Sequence, residues 1–130
     1  MAKGRVLVVE DDAKLRKYIH LLLAQAGYDV VEAEDGQQAI KEITSGDNPL
    51  RIDTIVCDLV MPKVSGEEAI GFFRAQFPGV PIIVVTGHAS VENINALYKQ
   101  GVVDYLVKPV GPDKLLPSVE RALKIPKNLQ

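Results

Sequence analysis

Five polar side chains sit at the ends of short apolar runs, and together they could carry phosphoryl chemistry. Glu10 and Asp11 follow Val6-Leu7-Val8-Val9, and Asp58 follows Ile55-Val56-Cys57. Thr86 closes Ile82-Ile83-Val84-Val85, and Lys108 follows Tyr105-Leu106-Val107. Three crowded carboxylates repel one another and call for a cation. A hard divalent ion such as Mg2+ suits them, because it takes one or two carboxylates together with waters and phosphate oxygens. A lysine offers a compact positive charge for a carboxylate or a phosphoryl oxygen. A threonine offers a hydroxyl donor, and an aspartate can itself be a nucleophile that becomes an aspartyl-phosphate. Phosphoryl transfer needs mainly position and positive charge, which this set of groups could supply.

Each residue also has an ordinary reading. Asp58 could be a turn or cap residue, and Glu10-Asp11-Asp12 a solvated helix start with Asp11 or Asp12 as its N-cap. Thr86 could be a β-branched strand residue, and Lys108-Pro109 a surface loop. What distinguishes the set is its conjunction, each member at a strand end, so the elements that position them carry the weight.

Those elements alternate. Continuous β-branched runs predict buried strands over 6–9, 53–57 and 81–86, with a fifth strand over 104–107 and a shorter, more polar one over 29–33 nearer an edge. Apolar residues at helical spacing (Leu15, Tyr18, Ile19, Leu22, Leu23, Ala26) predict a helix from Ala13 that stops at Gly27. Further helices are expected over 36–44, 67–77, 91–100 and 112–124, with Pro112 suited to a first turn. Ser45-Gly46-Asp47-Asn48-Pro49 reads as a loop. Pro62 blocks simple continuation of the third strand, and Gly66 adds backbone freedom before the next helix. Five strands alternating with five helices argue for an α/β fold, a single (βα)5 doubly wound parallel five-stranded sheet. Right-handed crossovers then bring the carboxyl ends of all strands to one edge, with Glu10, Asp11, Asp58, Thr86 and Lys108.

Composition narrows the class. The 130 residues suit one domain; 47% are hydrophobic and 25% charged, as in ordinary globular chains. A net charge of −2 gives no basic surface for nucleic acid. The single cysteine, Cys57, excludes an internal disulfide; it reads as a small buried hydrophobe and fits a cytoplasmic setting. No apolar run approaches the roughly 20 residues of a membrane helix, so no membrane association is expected.

The chain resembles a receiver domain of the two-component response-regulator family. The resemblance is carried by Val8-Val9-Glu10-Asp11-Asp12, by Cys57-Asp58-Leu59-Val60-Met61-Pro62-Lys63-Val64-Ser65-Gly66, by Val84-Val85-Thr86-Gly87-His88-Ala89, and by Gly101-Val102-Val103-Asp104-Tyr105-Leu106-Val107-Lys108-Pro109. It covers about residues 4–124. It implies a flavodoxin-like sheet of strand order 2-1-3-4-5. It implies that Asp58 is the phospho-acceptor, and that Glu10, Asp11, Asp58 and the backbone carbonyl of Val60 bind Mg2+. Thr86 resembles the switch hydroxyl, Tyr105 the aromatic that follows it, and Lys108 the phosphate-pairing lysine with a cis bond to Pro109. Val60 and His88, two residues past Asp58 and Thr86, flank the expected path of a hydrolytic water and are expected to tune lifetime. Thr86-Gly87-His88 is similar to receivers of nitrogen-regulation and nitrogen-fixation regulators, whereas Val110 departs from the aromatic or isoleucine common after Lys-Pro.

Residues 1–124 thus read as a receiver domain, and 125–130 as a C-terminal tail or the start of a linker. The expected function is a signalling switch and not an enzyme. A histidine kinase or phosphotransfer protein would phosphorylate it. The face formed by the helix at 91–100, the strand at 104–107 and the helix at 112–124 would then answer to an effector, or to a second copy in a phosphorylation-dependent dimer. Two alternative functions fit the fold less well. An Asp-nucleophile phosphohydrolase resembles Asp-x-Asp, but the second position here is Val60. A flavin carrier on the same fold would have a Gly-, Ser- or Thr-rich loop after the first strand, where Glu10-Asp11-Asp12 would repel phosphate.

Overall fold

The computed structural model describes residues 2–59, 65–87 and 91–125. Five strands, β1 (Arg5–Val9), β2 (Asp29–Ala33), β3 (Ile52–Cys57), β4 (Ile82–Thr86) and β5 (Val102–Val107), form one sheet in the order β2-β1-β3-β4-β5. Every neighbouring pair is parallel. The helices are α1 (Ala13–Gln25), α2 (Gly36–Ile43), α3 (Asn48–Arg51), α4 (Gly66–Gln76), α5 (Val91–Lys99) and α6 (Pro112–Leu123).

Strand alternation divides the core in two. Leu7, Val9, Ile55, Cys57, Ile82 and Val84 face one side, where Ala39 and Ile43 of α2, Ala69, Ile70 and Phe73 of α4, and Leu97 of α5 cover them. Val6, Val8, Val56, Ile83, Val85 and Leu106 face the other, covered by Ile19 and Leu23 of α1 and by Leu115, Val119 and Ala122 of α6. Burying each such aliphatic side chain contributes about 1.5–3 kcal/mol. Helices therefore cover both faces, and the inner stretches of β1, β3 and β4 (Val6–Val9, Ile55–Cys57 and Ile82–Val85) are continuously apolar because they have no solvent side.

Local signals start the helices. Asp12 is the N-cap of α1, its carboxylate accepting from the N–H groups of Lys14 and Leu15 at 3.0 and 3.2 Å. That decides between Asp11 and Asp12, and leaves Asp11 exposed for other work. Asp35 caps α2 and Ser65 caps α4, where Ser65 and Glu68 have capping-box spacing.

Two expectations need correction. The stretch read as a loop runs into α3 at Asn48, a single turn with Pro49 in its first positions. Four residues show no periodic stripe, so only Pro49 signalled the turn. The fifth strand starts at Val102, two residues earlier than expected, because its register against β4 shifts. Ile82 pairs with Val102, but Ile83 pairs with Asp104, which leaves Val103 as an extra residue.

Candidate functional site

The sheet's carboxyl edge gathers the expected side chains. Glu10 directly follows β1 and is only 2% exposed. Its N–H donates to the Ala33 carbonyl at 3.0 Å, and its carbonyl accepts from Arg16 Nη1 at 2.8 Å. Its Oε2 accepts from the Asp12 N–H at 3.1 Å. Asp58 directly follows β3, and its N–H donates to the Val9 carbonyl at 3.0 Å, which ties the two strand ends together. Thr86, the last residue of β4, is fully buried, and its carbonyl accepts from the Lys108 N–H at 2.9 Å. The Lys108–Pro109 bond is cis.

Lys108 reaches across this edge. Its Nζ lies 2.8 Å from Glu10 Oε1 and 3.1 Å from Asp58 Oδ2. One carboxylate oxygen each from Glu10, Asp11 and Asp58 lies within 4.8 Å of the others. Three hard oxygen donors at that spacing fit a divalent cation such as Mg2+. Burial pushes the Glu10 carboxyl up to about 7, against the pull of the Lys108 ammonium and the Asp12 N–H; the nearby Asp58 charge and the Asp11 carboxyl add to the rise. Burial would lower Lys108, but the carboxylates of Glu10 and Asp58 more than offset it and hold the ammonium charged. Cys57 is fully buried, and burial first, then the charges of Asp58 and Glu10, push its thiol up, so it packs as a small hydrophobe.

Tyr105 packs against the core on the side covered by α2, α4 and α5. Thr86 continues the alternation of Ile82 and Val84, which places it on that same side. The extra residue in β5 is what brings Tyr105 there: Val103 packs with the α1–α6 core and Asp104 bonds to Ser118 and Arg121 of α6, so Tyr105 turns to the opposite side.

Glu10, Asp11, Asp58, Thr86 and Lys108 meet at this edge, as the alternation of strands and helices predicts, and Tyr105 lies in β5. Val60 and His88 lie outside the described residues. Two features were missed or misread. Arg16, four residues into α1, contacts the Glu10 backbone, and no sequence pattern announced it. Gly66 was read as a source of backbone freedom, but its role is space: an added Cβ would lie 2.0 Å from the Asp58 carbonyl oxygen.

The family model for the response regulator receiver domain matches residues 6–120. Among curated relatives, the transcriptional regulatory protein GlrR of Escherichia coli is 34% identical over 121 residues, covering 93% of this chain and 26% of that protein. The transcriptional regulatory protein FixJ of Bradyrhizobium diazoefficiens is 33% identical over 122 residues, covering 94% and 58%. The chain therefore spans only part of these relatives, about a quarter of GlrR. Among solved structures, a response regulator receiver protein from Pseudomonas putida is 35% identical, with a TM-score of 0.84 and coverage of 93% and 98%. The chemotaxis response regulator CheY4 of Vibrio cholerae is 32% identical, with a TM-score of 0.82 and coverage of 92% and 98%.

Proposed function

Because this chain belongs to the response regulator receiver domain family, we propose that it is a phospho-accepting switch with Asp58 as the acceptor. The donor is a histidine kinase or phosphotransfer protein. An Asp58 carboxylate oxygen attacks the phosphorus of a phosphohistidine. The O–P bond forms as the N–P bond breaks, and the departing imidazole keeps the electron pair and takes up a proton. Lys108, already 3.1 Å from Asp58, is placed to turn its ammonium to the new phosphoryl oxygens. Glu10, Asp11, Asp58 and the Val60 carbonyl would hold Mg2+, which when bound neutralises charge on the transferring group.

The Thr86 hydroxyl then donates to the phosphoryl group and Tyr105 follows on the same side of the sheet. The α5-β5-α6 face repacks toward an effector domain or protein, or toward a second copy. In this reading residues 1–124 are the receiver and 125–130 a tail or linker start. The protein works in the cytoplasm, assists only its own phosphotransfer and dephosphorylation, and contacts neither nucleic acid nor membrane itself. No described helix is long and apolar enough to cross a membrane.

The observation that carries the proposal is the meeting of Lys108 with both Glu10 and Asp58 beside a third carboxylate. A small phosphodonor with Mg2+ should add one phosphoryl group to the wild-type protein, detected by intact-mass spectrometry. Asp58→Asn should remain unlabelled; undiminished labelling of that variant would overturn the assignment.

A further inference from the structure

We propose that Arg16 is a positioning residue for the acidic site and that Glu32 on β2 holds it in place, an inference that rests on reading Glu10, Asp11 and Asp58 as Mg2+ ligands. The guanidinium is used in two directions. Nη1 donates to the Glu10 carbonyl at 2.8 Å, while Nε donates to Glu32 Oε1 at 2.9 Å. Both partners are largely shielded, with side-chain exposures of 17% for Arg16 and 23% for Glu32. Lys17 and His20 also reach Glu32 Oε2, and the three bases, after working against burial, hold its carboxyl below the ordinary range. Glu32 is therefore an ionised anchor.

This arrangement clamps the Glu10 backbone at both ends. Its N–H is bound to Ala33, the residue after Glu32, and its carbonyl to the arginine that Glu32 orients. The buried Glu10 carboxylate and the neighbouring Asp11 both hang from that segment. A plain α1–β2 ion pair would need only the Arg16–Glu32 contact; the second bond goes to the backbone of a proposed ligand. A planar guanidinium can make both bonds at once, and a lysine ammonium has no comparable fixed fork. Groups that orient metal ligands from outside the coordination sphere typically change affinity by about 10–100-fold when altered.

The test is Mg2+ titration of the 130-residue chain, followed by amide NMR shifts at Glu10 to Asp12, with thermal melting measured alongside. Wild type should bind and Asp11→Ala should lose most of the affinity; failure of both would sink the reading of the site itself, and this inference with it. Given a wild-type site, Arg16→Lys, which keeps the charge but loses the fork, should weaken Mg2+ about tenfold. Glu32→Gln should weaken it in the same direction, and the double variant should fall short of the sum of the two effects, because the pair acts as one unit. Two results overturn the inference. Arg16→Lys that titrates like wild type while Arg16→Ala binds Mg2+ more tightly would mean that Arg16 acts only through its charge. A lowered melting temperature with unchanged Mg2+ affinity in all the variants would mean that the pair only fastens α1 to β2.

Discussion

A Cβ at position 66 would lie 2.0 Å from the Asp58 carbonyl oxygen and 2.7 Å from the Leu59 Cα. Both are backbone atoms next to the proposed acceptor, so no flexible side chain can move aside. The Gly66 N–H also donates to the Leu59 carbonyl at 3.1 Å, which draws the start of α4 onto the end of β3. Gly66→Ala should therefore destabilise the fold by about 3 kcal/mol in urea titration, although alanine favours helix. A change below about 0.5 kcal/mol would mean that the two segments separate at little cost. The role proposed for position 60 concerns a different property, the lifetime of the phosphorylated state. Valine cannot hydrogen-bond a water, and a poorly positioned water attacks slowly. In a phosphate-release assay, Val60→Asn should lose its phosphoryl group faster than wild type; equal or slower release would remove Val60 from control of lifetime.

At the scale of elements, one carboxylate adds polar ties to the apolar junction of β5 with α6. Asp104 accepts from Ser118 Oγ at 2.7 Å, Arg121 Nη2 at 2.9 Å and the Tyr105 N–H at 2.8 Å. Burial works against its charge, but Ser118, the Tyr105 N–H and Arg121 prevail and hold the carboxyl below its ordinary value. A depressed folded pKa means that the stabilisation is present above the unfolded value and is lost as pH falls through the folded one. Asp104→Asn should cost roughly 1–2 kcal/mol near neutral pH, from the loss of charge-assisted bonds to a largely buried serine. The two proteins should converge in stability as acid protonates the wild-type carboxyl. Denaturant midpoints across pH test this, and a difference that persists undiminished into acid would assign the loss to shape and not to charge. The same bulge that sends Asp104 toward α6 turns Tyr105 to the Thr86 side, so the junction also sets up the proposed switch.

At the scale of the molecule, the edge that gathers the site is also where the fold carries electrostatic strain. Buried Glu10 has a carboxyl raised to about 7, so metal-free stability from this group is fullest below its unfolded value and declines as pH rises through about 7. A bound cation reverses that balance. Mg2+ at tenfold its dissociation constant should add about 1.4 kcal/mol and raise the melting temperature by a few degrees. Because binding needs the ionised carboxylate, affinity should increase with pH between about 6 and 8. Asp11→Ala should keep the fold, since Asp11 is exposed and its loss relieves repulsion, but should abolish both effects. Calorimetric scans with and without Mg2+ decide this; an equal Mg2+ shift in Asp11→Ala would place the metal elsewhere.

The sequence by itself was enough for the alternation of strands and helices, α3 excepted, because the buried strands are rich in β-branched residues and the five longer helices carry apolar stripes. It was also enough for the convergence of Glu10, Asp11, Asp58, Thr86 and Lys108, because parallel strands with right-handed crossovers bring all their carboxyl ends to one edge. Tertiary structure alone decided what depends on partners distant in the chain. The β5 bulge is a register between β4 and β5, and it determines which side of the sheet Tyr105 occupies. The need for glycine at position 66 comes from the backbone at Asp58, eight residues earlier in the chain but in direct contact once β3 and α4 close on each other. Arg16 acquires its place from Glu32 on the neighbouring strand, and the raised carboxyl of Glu10 comes from burial, which outweighs the opposing pull of Lys108, 98 positions away in the sequence. Periodicity reports which face a residue belongs to; these properties depend on distances across the fold, which a local pattern does not encode.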